Sequence, residues 1–276
     1  MDGMLGNCLE NVRKEKPLIH CITNYVSAND VANMLLACGG SPVMADDPLE
    51  VEEITALANG LDINLGTLQS RTAQSMLLAG KKANELGHAV LLDPVGAGAS
   101  KFRTGTAFEL LNQVRFDAVR GNISEIRALA EKNGSPSGVD AAFCDRVTRE
   151  NLSDAVAMVK QFANRMHTIV AVTGEYDLIA DAATCYVIEN GRPEMRQITG
   201  SGCMLSGLMT AYLSANPDDS LLACAAAACA IGVAGELAWN YLTEYAGNAS
   251  YRNALIDAIC RMDADTLEQS ARYTRM

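Results

Sequence analysis

One stretch of this 276-residue chain gathers residue types that handle phosphate. From Ile198 to Leu213 it reads ITGSGCMLSGLMTAYL, with glycines and small hydroxyl residues around Cys203 before an apolar run. Thr199-Gly200-Ser201-Gly202 reads as a tight turn, because glycine tolerates positive φ and lets a ligand approach the backbone. Leu205, Leu208, Met209 and Tyr212 then recur at three- and four-residue spacing, which predicts a helix over 203–214. A glycine-rich turn that opens a helix presents unpaired N–H groups at the positive end of the helix dipole, and so forms an anion site. A cysteine at its mouth is expected to have a lowered pKa. The alternative is a close-packed turn with a buried cysteine.

Other segments carry chemistry of the same kind. Asp93 lies in LLDPVGAGA, where a carboxylate beside a Gly-x-Gly turn suits a magnesium ion bridging phosphates, or is a turn aspartate. In RGNISEI, Asn122 and Glu125 stand three apart, on one helical face. Both could reach one ligand or its metal waters, or they form a helix cap. Arg120 is a candidate phosphate clamp or a surface ion-pair partner. Thr173-Gly174 could line a nucleotide pocket or simply turn the chain. His20 reads as a packed, hydrogen-bonded histidine, and Met44 as core. No G-x-x-x-x-G-K-[ST] occurs, and the turn at 200–202 fails the dinucleotide pattern. A cysteine hydrolase would need a histidine near Cys203, and none of the three histidines has a recommending context.

The elements that must position these residues alternate between short apolar runs and longer helical ones. Strands are expected at 18–22, 42–44, 61–65, 89–92, from 118 to 122, and at 168–172. A hairpin follows at 176–180 and 185–188. Helices are expected at 2–16, 27–38, 48–59, 69–86, 106–113, 123–131 and 151–165. Three more close the chain, at 203–214, at 221–243 and from 249 to the end. The stretch 132–140, KNGSPSGVD, reads as a flexible loop. Strands of four to six residues alternating with helices predict an α/β fold, with a mostly parallel sheet between helical layers. No linker or repeat interrupts it, so one domain over 1–276 is expected. In such sheets ligands sit beyond the carboxyl ends of the strands. Asn24, Met44, Gly66, Asp93, Asn122, Thr173 and the turn at Gly200 all fall at those ends.

Composition narrows the function classes. The net charge is −11 and no lysine/arginine cluster stands out, which argues against nucleic-acid binding. An acidic chain that binds phosphate must use backbone dipoles, a few cations or a metal ion. Nine cysteines, none in a C-x-x-C pair and several among alanines, read as free core thiols of a reducing compartment. The N-terminus lacks a basic-then-apolar signal, and the uncharged run 220–235 is too short to span a bilayer. The expectation is a cytoplasmic protein with no membrane partner.

Taken together, HCITNYVSANDVANMLLACGGSPVMA (20–45), INLGTL (63–68), LLDPVGAGASKFRT (91–104), RGNISEI (120–126), VAVTGEYDLIAD (170–181) and TGSGC (199–203) resemble the hydroxyethylthiazole kinases, of the ribokinase-like superfamily. The resemblance runs in order over nearly the whole chain. It implies a three-layer α/β/α ribokinase-like fold. It also implies ATP-dependent phosphorylation of the hydroxyl of 4-methyl-5-(2-hydroxyethyl)thiazole, a step in thiamine salvage. The implied roles are an anion hole at Gly200, Ser201 and Gly202, and Cys203 as catalytic base or orienting group where most ribokinase-like kinases carry aspartate. Asp93 and Glu125 would organise Mg²⁺. Arg120, Thr173 and Asn24 would contact ATP, and Met44 and Gly200 the thiazole. A homotrimer with active sites at subunit contacts is also implied. The family turn usually has threonine where this chain has Ser201, which keeps the hydroxyl. Cys203 argues against related kinases of pyrimidine or pyridoxal alcohols, and the intact set of residues argues against a noncatalytic nucleotide sensor.

Overall fold

A computed structural model of the chain describes residues 4–132 and 146–276. Its backbone is one nine-stranded sheet in the order β2-β1-β3-β4-β5-β6-β7-β8-β9. The strands are β1 (Leu18–Ile22), β2 (Ser41–Met44), β3 (Gly60–Asn64), β4 (Ala89–Asp93), β5 (Ala118–Asn122), β6 (Ile169–Thr173), β7 (Asp177–Ala180), β8 (Cys185–Ile188) and β9 (Tyr273–Arg275). From β2 through β6 every pair is parallel, in registers such as Asn64 opposite Asp93 and Asn122 opposite Thr173. From β6 to β9 the pairs are antiparallel. Parallel strands need crossovers, and helices supply them.

The helices cover both faces, as the near-continuous apolar strands require. On one face α3 (Val51–Leu57), α4 (Ser70–Leu86), α5 (Lys101–Gln113), α6 (Ile123–Lys132) and α7 (Leu152–Met166) meet Val90, Leu92, Val170 and Val172. On the other lie α1 (Met4–Glu15), α2 (Ala28–Cys38), α8 (Ser201–Ala215), α9 (Ser220–Asn240), α10 (Asn248–Arg261) and α11 (Ala264–Ser270). These pack on Leu91, Ala118, Ala171 and Ile179. The alternation of β4 and β6 residues between two cores makes the three layers expected from the sequence. Among the described residues every cysteine is free, and Cys8, Cys21, Cys38, Cys185, Cys224 and Cys229 are buried.

Some expected boundaries move. α5 begins at Lys101 rather than at 106, because Ser100 caps it by accepting from the Arg103 N–H. α8 begins at Ser201. The expected last helix divides into α10 and α11, since the Asp263 side chain accepts from Thr266 N–H and starts a new helix. The chain then adds an edge strand, β9, which sequence reading missed. A 3-10 turn, Pro193–Gln197, precedes α8. α9 is longer than its uncharged stretch, so length does not exclude a membrane span. The segment Pro217–Asn240 has mean hydropathy 2.0, but 83% of its apolar window is buried inside the fold, as in a core helix. Of the expected loop at 132–140, Lys132 ends α6 and the rest lies outside the described residues.

Candidate active site

The turn before α8 is shaped by Gly200, the helix N-cap, at φ +80°. A Cβ there would stand 2.6 Å from the Cβ of Ser27, so glycine is needed for both conformation and space. The first i→i−4 bond of α8 runs from Met204 N–H to Gly200 O at 2.8 Å. The N–H groups of Gly202 and Cys203 therefore precede the ladder and point from a positive helix end. Ser201 differs from its expected place in an anion hole. Its N–H already donates to Ile198 O at 3.3 Å, and its hydroxyl to Met195 O at 3.4 Å.

Beneath this helix end the carboxyl edge of the sheet presents a connected polar cluster. The Cys203 Sγ accepts from Asn24 Nδ2 at 3.2 Å and from Asn64 Nδ2 at 3.3 Å. Asn24 Nδ2 also donates to Asn64 Oδ1 at 3.0 Å, while Asn24 Oδ1 accepts from the N–H groups of Val26 and Ser27. Asp93 Oδ2 accepts from Asn64 Nδ2 and from Ser206 Oγ, each at 2.8 Å. Arg120 Nη1 lies 3.4 Å from the same oxygen, and Arg120 Nη2 donates to Thr173 Oγ1 at 2.7 Å. Strand register makes this possible: Asn64 and Asp93 are cross-strand neighbours, as are Asn122 and Thr173. Gly202 lies against the Arg120 guanidinium so closely that a Cβ would stand 2.5 Å from Nη1.

The electrostatics correct the expected thiol. Burial raises the Cys203 pKa, and the Asp93 charge raises it further, against hydrogen bonds that favour the thiolate. Burial likewise raises Asp93, which the Arg120 charge partly offsets. Cys203 is thus a protonated thiol at neutral pH, because desolvation and a neighbouring carboxylate outweigh the helix end. His20 is buried between Thr55 Oγ1 at 2.9 Å and Ala45 O at 2.8 Å, and burial lowers its pKa. It is away from the cluster and neutral.

The residues fit a divalent cation on one side. Asp93 Oδ1 is buried with no hydrogen-bond partner, a carboxylate oxygen left unpaired at the sheet edge. Glu125 accepts Gly96 N–H on Oε1 and Asn122 N–H on Oε2, each at 2.9 Å, while its own N–H donates to Asn122 Oδ1 at 2.9 Å. That is the capping arrangement, and it also ties the 93–98 turn to α6. Each Glu125 oxygen keeps a lone pair, which suits water-mediated contact with Mg²⁺.

A cleft of about 740 Å³ opens beside the cluster, lined by Arg120, Thr173, Gly174, Ser201 and Gly202 and, along one wall, by Glu189 to Arg192. Asn24 is not among its lining residues; it stands with Cys203. Met44 ends the edge strand β2 on the same sheet edge and is 39% exposed. The model of the hydroxyethylthiazole kinase family matches residues 9–265. The chain belongs to that family. A hydroxyethylthiazole kinase of Clostridium acetobutylicum is 53% identical over 270 residues, covering 98% of this chain and 99% of that protein. The solved hydroxyethylthiazole kinase protein of Pyrococcus horikoshii superposes with TM-score 0.87 at 34% identity, over 99% of this chain and 98% of that one. A Staphylococcus aureus pyridoxal kinase solved with ADP, at 15% identity and TM-score 0.61 over 95% and 99% of the two chains, shares the fold alone. The fold is ribokinase-like, as the sequence resemblance implied.

Within this member of the hydroxyethylthiazole kinase family, sequence reasoning missed Asn64 and Ser206. Asn64 is the hub of the cluster, joining Cys203, Asn24 and Asp93. A polar residue ending a buried strand was its signal. Ser206, three residues after Cys203, shares its helix face and was equally readable.

Proposed function

We propose that this chain phosphorylates the hydroxyl of 4-methyl-5-(2-hydroxyethyl)thiazole from ATP with Mg²⁺, as a single cytoplasmic kinase domain. The observation that carries it is the convergence, at one sheet edge, of a free helix N-terminus, the Cys203 thiol and the Asp93–Arg120–Thr173 chain beside a cleft. Arg120 and Thr173 line that cleft and hold ATP phosphates. The N–H groups of Gly202 and Cys203 stabilise charge on the phosphoryl group in flight. Asn24 and Asn64 orient the thiol, which hydrogen-bonds the substrate hydroxyl. Met44 and Gly200 contact the thiazole ring. The hydroxyl oxygen forms the new bond to the γ-phosphorus as the bond to the ADP oxygen breaks. The hydroxyl proton passes late to the transferred group, so no thiolate is required. Asp93, with Glu125 through water, would hold Mg²⁺, which supplies charge neutralisation on the phosphates when bound.

Solvent exposure of Tyr25 at 76% and Leu49 at 91%, with Val26 and Met44, supports a homotrimer whose subunits cover these side chains near the site. Sedimentation of the purified chain as a monomer would overturn that part. The activity is tested by ADP release with the thiazole alcohol, with a pyrimidine alcohol and with no acceptor, each with and without Mg²⁺. Thiazole- and Mg²⁺-dependent ADP release is expected, and no acceptor-dependent release with any alcohol overturns the reading.

A further inference from the structure

One wall of the cleft is a turn rather than a helix or strand. Residues 189–192 continue β8, and Glu189, Asn190, Gly191 and Arg192 all line the cleft. Three residues pin this turn. Helix α9 lies flush against it at Gly232, where a Cβ would stand 2.6 Å from the Cβ of Asn190. One helical turn on, the Glu236 carboxylate accepts Gly191 N–H at 2.7 Å and Asn190 Nδ2 at 3.3 Å. Arg272 then grips that same carboxylate with both ends of its fork, Nη1 to Oε2 at 2.9 Å and Nη2 to Oε1 at 2.7 Å.

Arg272 is bonded to the turn as well as to the helix. Its Nη2 donates to Glu189 O at 2.9 Å, its backbone N–H donates to Asn190 Oδ1 at 2.6 Å, and its carbonyl accepts Glu189 N–H at 2.9 Å. Asn190 Nδ2 reaches Ser270 O at 3.0 Å. The next residues pair with β8, Tyr273 opposite Ile188 and Arg275 opposite Tyr186. Burial would raise the Glu236 pKa, yet the hydrogen bonds from Arg272 and Gly191 bring it below its usual value. The Arg272 side chain is 54% exposed, so solvent screens the charge part of the pair, and what the bidentate geometry fixes is local. Its dense bonding is spent on the shape of one turn.

We propose that Arg272 is a positioning residue for ATP binding: by clamping Glu236 onto the turn 189–192, it sets the cleft wall against which the nucleotide docks. This rests on reading the cleft as the ATP site. The test measures ATP affinity by calorimetry, the KM values for ATP and for the thiazole alcohol, kcat, and the melting temperature, for the wild type, R272Q, R272K, E236Q and R275Q. R272Q and E236Q are expected to weaken ATP binding and raise the KM for ATP about tenfold, equivalent to roughly 1.4 kcal/mol. The thiazole KM and kcat should stay within about twofold and the chain should remain folded at the assay temperature. R272K, which keeps the charge but loses the fork, should recover part of the loss. R275Q, whose wild-type arginine reaches Thr184 and the Tyr186 ring instead, should match the wild type. Unchanged ATP affinity in R272Q and E236Q overturns the proposal, and so does an equal rise in both KM values. A wild type that binds ATP but never phosphorylates the thiazole alcohol refutes the kinase reading and leaves the calorimetric test of the clamp standing.

Discussion

Replacing Gly202 by alanine should separate stability from activity. Gly202 is the second residue of α8, and its added Cβ would stand 2.5 Å from Arg120 Nη1, 2.6 Å from Nη2 and 2.9 Å from Cζ. Carbon contacts settle at about 3.5 Å, so the guanidinium must retreat by about 1 Å. That movement breaks the 2.7 Å bond to Thr173 and loosens the 3.4 Å pair with Asp93. Losing a charge-assisted bond costs about 1.5–3 kcal/mol, and alanine's better helix propensity returns up to about 1 kcal/mol. The fold should therefore lose only about 1–2 kcal/mol and remain assembled. A misplacement of about 1 Å in a group that holds the phosphates costs roughly 10²-fold in turnover. The assay is kcat/KM for ATP at saturating thiazole alcohol, paired with a melting curve, and the expected result is roughly a 10²-fold fall with the thiazole KM nearly unchanged. Gly105→Ala serves as the control. That position lies inside α5 with no heavy atom within 4 Å of an added Cβ, so stability should rise by up to about 1 kcal/mol with kinetics unaltered. A folded Gly202→Ala chain with wild-type kcat/KM for ATP would refute the placement of Arg120 in phosphate binding.

Cys203→Ala should lower kcat roughly 10²-fold with little change in either KM, and Cys203→Ser should retain more. Because burial and Asp93 raise the thiol pKa, wild-type kcat should show no thiol inflection below the ordinary value of about 8.5. A rise in kcat with a midpoint near pH 7 that Cys203→Ser abolishes would mean a thiolate base. Asp62 is fully buried in β3 with neither carboxyl oxygen hydrogen-bonded, and burial, then the Asp93 charge, pushes its pKa well up. A folded pKa above the unfolded one gives stability that is present below about pH 3.9 and lost as pH rises toward the folded value. Asp62→Val should therefore stabilise the fold by about 1–3 kcal/mol at pH 7 and by much less near pH 4. Urea unfolding at both pH values checks this, and an equal gain at each would contradict it. Asp93→Asn, which removes the carboxylate charge and leaves only an amide oxygen to face a cation, should raise the Mg²⁺ concentration for half-maximal rate roughly tenfold or more, and an unmoved Mg²⁺ titration would take Asp93 out of metal binding.

Much of this site was legible because a parallel α/β sheet converts sequence order into place. Each apolar run ends at the same edge, so Asp93, Arg120 and Thr173 could be collected without knowing the strand order, and the structure links them in sequence through 3.4 Å and 2.7 Å contacts. What was not legible is tertiary. Glu125 and Asn122 fit a cap and a metal pair at the same spacing, and only the Gly96 and Asn122 N–H groups on its two oxygens show what Glu125 does. Strand β9 is three residues long and takes its partner from β8, so nothing local announces it. The thiol was misjudged because a helix end is a neighbour in sequence, whereas Asp93 and the burying layers are neighbours only in space. That error carries the deeper point about the charge of the site. The Arg120 guanidinium is already committed to Asp93, and Glu125 adds a second carboxylate, so the cluster itself offers a polyphosphate no surplus of positive charge, whereas Arg146, Arg192 and Arg196 line the cleft beside it. On the proposed reading, in a chain with net charge −11, the N–H groups of Gly202 and Cys203, these cleft arginines and a cation bound with the nucleotide would share the attraction. The buried, unpaired Oδ1 of Asp93 is the feature of this cluster that such a cation would satisfy.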